Sequence, residues 1–145
     1  MSGNPSHRPF DIEIFQNCIL VTLRGHWDMG TNISYLGELS DALQSRRGKP
    51  FHLFVDMRSW SIPNTDISRR IKEPVQLDRR NQLSELWLED DTTDANHIAE
   101  KFLENQPFTF SRTNDVTTFL NDADKRVEPS VMTYVASWID TAKPR

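Results

Sequence analysis

The chain opens with Phe10, Ile12 and Ile14 alternating with Asp11 and Glu13. That period of two belongs to a strand with one face in a core. Gln16-Asn17 predicts a tight turn, because Asn tolerates positive φ. Cys18–Arg24 is nearly all apolar or β-branched and predicts a second, more buried strand. The two form an antiparallel hairpin whose first strand lies at an edge. Gly25 and Gly30 mark an irregular connection. Thr31 or Asn32 then caps a helix carrying Ile33, Leu36, Leu39 and Leu43 at helical spacing, ended by Arg46, Arg47 and Gly48.

Phe51–Asp56 is apolar on both faces, with Phe51, Leu53 and Val55 on one and His52, Phe54 and Asp56 on the other. It reads as a central strand covered on both sides. Asn64, Thr65 or Asp66 caps a second helix with Ile67, Ile71 and Val75 on its apolar face, kinked or ended at Pro74. Leu83–Glu89 predicts a strand with Asp90–Thr93 as its exit turn. Ala95, Ile98, Ala99, Phe102 and Leu103 make an amphipathic helix. Phe108–Phe110 is a short strand. Val116, Phe119, Leu120 and Ala123 make a helix begun by Thr113 or Asn114. A last helix starts at Glu128-Pro129-Ser130 with Val131, Tyr134, Val135, Trp138 and Ile139 on one face.

Strands alternating with helices predict an α/β fold. It has a mostly parallel sheet of about five strands, an antiparallel edge hairpin, about four crossover helices and a C-terminal helix. The expected organisation is a loose arm over 1–9, one domain over 10–126 and a helical extension over 127–145. The stripe on that extension packs on its own domain, or joins a second copy in a homodimer, or seats on a partner.

The order of elements from Phe10 to Ala123 resembles the STAS domain, the fold of anti-sigma factor antagonists. Those domains carry Gly-x-apolar-Asp and then Thr at the first helix, here Gly25-His26-Trp27-Asp28 and Thr31, and an apolar strand ending in Asp, here Leu53-Phe54-Val55-Asp56. The resemblance implies a non-catalytic regulatory domain that binds a protein partner through the loop after the central strand. In regulatory members that loop carries Asp-Ser-Ser-Gly, phosphorylated on the first Ser. Those positions fall on Asn64, Thr65, Asp66 and Ile67, which makes Thr65 the candidate phosphoacceptor although the glycine is absent. The fold is also similar to lipid-binding Sec14-type domains, which implies the alternative of a carrier or sensor for a small apolar ligand.

The chain has 145 residues, net charge −4, 37% hydrophobic and 26% charged residues. One soluble domain with its own core is expected. The negative charge argues against bulk nucleic-acid binding, and no apolar run approaches the roughly 20 residues of a membrane span. Met1–Pro9 lacks the apolar segment of a signal peptide. Cys18 is the only cysteine, so it forms no internal disulfide. A cytoplasmic setting is the simplest reading.

In open α/β sheets, ligands and partners engage the loops beyond the carboxyl ends of the strands. The expected partner-binding surface is therefore Arg58, Ser59, Trp60, Ser61, Asn64, Thr65 and Arg69. Trp60 either anchors a partner or lines a pocket, or folds back over the sheet end; Trp27 in the neighbouring loop poses the same choice. Asn64-Thr65-Asp66 equally reads as a simple helix cap. His52 and Asp56 share a strand face and are candidates to pair across Phe54. Asp66–Arg80 holds five basic and three acidic residues. Arg69, Lys72, Arg79 and Arg80 either dock an acidic partner or form a solvated helix face. The His, Cys and carboxylate spacing matches no zinc site, no nucleophile–base pair and no cofactor motif.

Overall fold

The computed structural model describes residues 8–61, 78–94 and 108–144. Phe10–Phe15 (β1) and Cys18–Leu23 (β2) form the antiparallel hairpin, with Phe10 opposite Leu23 and Phe15 opposite Cys18. The residue with positive φ in its turn is Gln16, at 54°, rather than Asn17. A two-residue hairpin loop can need the left-handed conformation at its first position, whichever side chain stands there. Pro9 is already tied to the hairpin, its carbonyl accepting the Arg24 amide at 2.8 Å.

Gly25–His26 (β3) follows β2, and Met29–Ser45 (α1) follows β3. Phe51–Asp56 (β4) is buried along its whole length, as a central strand should be. Trp60–Ser61 (β5), Gln82–Leu88 (β6), Thr109–Thr113 (β7), Val116–Asp124 (α2) and Pro129–Thr141 (α3) complete the described elements. The main sheet runs β1-β2-β4-β6-β7, antiparallel only at β1. The fold is thus α/β with a mostly parallel five-stranded sheet. β3 and β5 pair separately, in parallel. The expected helices over Asp66–Arg80 and Ala95–Leu103 fall mainly outside the described residues. So does most of the connection expected to carry the second helix's cap.

The last helix starts at Glu128 and Pro129 as the sequence suggests, but the other two caps sit earlier or later. α1 is capped by Asp28, whose Oδ1 accepts the Thr31 amide at 2.8 Å, so Thr31 and Asn32 are already helical. α2 is capped by Asp115, whose Oδ2 accepts the Thr118 amide at 2.9 Å, rather than by Thr113 or Asn114. In each case a carboxylate outcompetes a neighbouring hydroxyl or amide for the orphan N–H. The Thr31 amide holds the Asp28 carboxyl below its usual range, and the Thr118 hydroxyl, then its amide, does the same for Asp115.

The two sheet faces build two cores. On one, Ile19, Val21, Leu53, Val55 and Trp87 meet Leu39, Ala42 and Leu43 of α1. The α1 stripe is rotated from the expected one, because Tyr35, Leu39, Ala42 and Leu43 face inward and Ile33 is left 45% exposed. On the other face, Cys18, Leu20, Phe54, Leu86 and Leu88 meet Phe119 and Ala123 of α2 and Val131, Val135, Trp138 and Ile139 of α3. The stripe on α3 thus packs on its own domain, the first of the placements open to it, and Val131, Val135, Trp138 and Ile139 are buried there rather than offered to a second copy. Tyr134 stays outside that core and stacks on Phe15, ring centroids 3.9 Å apart. Among the described residues no helix is long and apolar enough to cross a membrane.

Phe54 lies at the centre of the second core, edge-on to Phe119 at 6.1 Å. Phe54→Ala should cost about 3–5 kcal/mol, read as a lower urea midpoint with an unchanged m-value. A loss under about 1 kcal/mol would place Phe54 outside the packed core.

Candidate functional site

The four parallel strands end at one edge of the sheet, and the chain leaving three of them is stitched together there. The Gly25 amide donates to the Ser59 carbonyl at 2.7 Å, Trp27 to Ser61 at 3.0 Å, and Asp94 to Trp60 at 3.1 Å. Gly25 is at φ +85°, a conformation that suits glycine. His26 is in register with Ser61, and Ser61 with Asp94. Residues in register point to the same side of a ladder. Trp60, one residue before Ser61, points the other way, into the core.

That alternation decides the site. His26 and Ser61 face outward, Nδ1 and Oγ 2.7 Å apart. Trp60 is 3% exposed and packs edge-on against Trp27 at 5.4 Å. Trp27 in turn meets Tyr35 at 5.2 Å and Phe10 at 5.9 Å. The two indoles meet, but as core rather than as an exposed patch. The Trp27 indole donates to the Arg24 carbonyl at 2.9 Å, whereas the buried Trp60 Nε1 has no acceptor among the described residues.

Arg58, expected on the partner surface, is buried instead. Its Nε and Nη2 donate to the two oxygens of Asp56 at 3.0 and 2.8 Å, and Nη2 also to the Ile139 carbonyl at 2.8 Å. Arg24 Nη2 reaches Asp56 Oδ2 at 2.7 Å and the Ala142 carbonyl at 2.6 Å. Asp56 is fully buried, and the two guanidinium groups give its carboxylate oxygens their partners there.

Ser59 takes φ 59° and gives its amide and hydroxyl to Asp90 at 3.0 and 3.2 Å. Burial opposes ionisation of Asp90, but the Ser59 amide and the Thr92 and Thr93 groups hold its carboxyl below the usual range. Of the seven expected partner-binding residues, Ser59 and Ser61 are half-buried, and Arg58 and Trp60 are internal. Asn64, Arg69 and the candidate phosphoacceptor Thr65 lie outside the described residues.

His52 does not pair with Asp56. Four residues along a strand span about 13 Å, whereas a neighbouring strand lies only about 4.8 Å away. His52 Nδ1 accordingly meets Ser84 Oγ of β6 at 2.7 Å. Arg79 leaves the expected basic helix face and joins the buried Glu85 at 2.5 Å, with Gln82 and the Trp87 indole on the same carboxylate at 3.0 and 2.7 Å. Arg80 remains exposed, forked onto Asp78. Burial pushes the Cys18 thiol up to about 12, leaving it protonated and unreactive at neutral pH. Among the described residues no three His, Cys, Asp or Glu side chains converge as a metal site.

The sequence reading missed Arg24, Glu85 and the His26–Ser61 pair. Arg24 carried one signal: a cation closing an apolar strand beside a second strand that ends in Asp. The two-residue β3 and β5 carried none, being too short to show a period.

Two outcomes follow. Asp56→Asn should cost about 3–5 kcal/mol, because two arginines lose their counter-charge in a buried place; chemical unfolding measures it, and wild-type stability would remove the cluster from the core of the fold. His52 is held below its ordinary 6.5 by burial and by Arg126. The fold thus favours neutral His52, with Cys18 beside it on β2 and Ser84 on β6. The part of the stability that His52 contributes is complete above 6.5 and falls as pH drops below it, levelling off under the folded value. His52→Gln should flatten that slope in urea titrations at stepped pH, and an unchanged slope would locate it elsewhere.

Comparison of the chain with family models, with curated proteins and with solved structures gave no match.

Proposed function

We propose that this chain is a STAS-like regulatory domain that acts by protein–protein contact without catalysis. Its acting surface is the carboxyl end of the sheet. The observation behind this reading is the small second sheet at that end, where three strand exits are hydrogen-bonded to one another and His26 and Ser61 are turned outward as a pair. A surface that is preorganised loses little entropy on binding. Thr65 remains the proposed phosphoacceptor.

A second reading is favoured by one feature. Trp60 Nε1 is a buried donor without an acceptor among the described residues, and such a group suits an apolar ligand carrying one acceptor oxygen. Solvent extraction followed by mass spectrometry, with tryptophan emission recorded before and after, separates the two readings.

The contact reading is tested by affinity purification of the full chain from its own host. A stoichiometric protein partner should be recovered. His26→Asp, Ser61→Arg and Thr65→Glu should each weaken its capture about tenfold or more, as truncation at the centre of an interface does. Melting temperatures should stay at the wild-type value for the His26 and Ser61 variants. Equal capture by all three variants would sink the assignment of this surface.

A further inference from the structure

α1 has an outward ridge that the core does not use. Met29, Ile33, Gly37 and Asp41 follow one another at four-residue spacing, which places them in one row along the helix. All four are exposed; Met29 is 37% and Ile33 45% accessible. These apolar side chains lie outside because Tyr35, Leu39, Ala42 and Leu43 already fill the inward face.

Gly37 is the telling residue. Glycine in the interior of a helix is destabilising. Nothing among the described residues requires it, since a Cβ built there meets none of their atoms within 4 Å and its φ is not positive. The notch it leaves faces solvent, midway between the apolar pair and Asp41. Rows of side chains four apart are the ridges that seat in the grooves of another helix, and a gap in such a row lets the second helix come close.

Charge selects the partner. Over its 17 residues α1 carries Glu38 and Asp41, both exposed, and no Lys, Arg or His. A second copy of α1 would bring two more acids to this ridge and no cation to meet them. A helix with apolar residues flanked by lysine or arginine meets both halves of the ridge.

We propose that the ridge Met29–Ile33–Gly37–Asp41, with Glu38 beside it, docks a cationic amphipathic helix of a partner protein. This builds on the contact reading but uses a different face. His26→Asp and Ser61→Arg should leave it intact, so the two surfaces can fail separately.

The test titrates the isotopically labelled full chain with a synthetic leucine–lysine amphipathic peptide, and with the same peptide carrying glutamate for lysine. Amide shifts should be confined to the outer side of Met29–Asp41 and appear with the lysine peptide alone. Ile33→Ser and Gly37→Leu should each weaken binding about tenfold. Gly37→Leu should also raise the melting temperature by about 2–4 °C, so its loss of binding is not a loss of fold. The proposal is overturned by equal binding of the glutamate peptide, by shifts elsewhere, or by wild-type affinity in Gly37→Leu. It is also overturned if these amides broaden with protein concentration alone, which would assign the ridge to a second copy.

Discussion

Two guanidinium groups close on one carboxylate with no access to water, and the carboxyl end of the sheet is built around that fact. Burying Asp56 alone would be prohibitively costly. Arg24 from the end of β2 and Arg58 from the loop after β4 both reach it. The remaining donors go to backbone carbonyls: Leu23 and Asp56 at the strand ends, Ile139 and Ala142 at the end of α3. α3 has no basic residue in its own last turn. Arginines from two other elements supply the positive charge that a helix C-terminus favours. One cluster therefore fastens two strands and a helix.

The loop geometry follows from that clamp. With Arg58 drawn inward, Ser59 must turn sharply, and Asp90 secures it there. The next residue, Trp60, then falls on the core side and Ser61 on the solvent side. A run that reads as exposed, Arg-Ser-Trp-Ser, delivers two side chains to the interior and leaves serine outside. The surface that remains among the described residues is polar. What it presents is the His26–Ser61 pair, drawn from two chain segments that share no local signal.

Periodicity disclosed the elements that are long and regular. The hairpin, the fully buried β4, the amphipathic α3 and the parallel arrangement were all legible, because burial on one or both faces leaves a pattern every two or three to four residues. Caps were less legible: Asp28, Thr31 and Asn32 all qualify by residue type, and only backbone geometry shows which carboxylate or hydroxyl reaches the free amide. The inward stripe of α1 was misread by one position because aromatic Tyr35 and small Ala42 share its buried side with the leucines.

By itself the sequence determined the α/β class, the edge hairpin, the central strand and the order of the parallel strands' elements, since each depends on neighbours a few residues apart. Tertiary structure decided which charges are buried, which indoles face solvent and which residues meet across the sheet end. Those outcomes depend on distance between segments rather than along them. His52 shows the reason most simply: Asp56 is close in the sequence and far along the strand, while Ser84, 32 residues away, is one strand over.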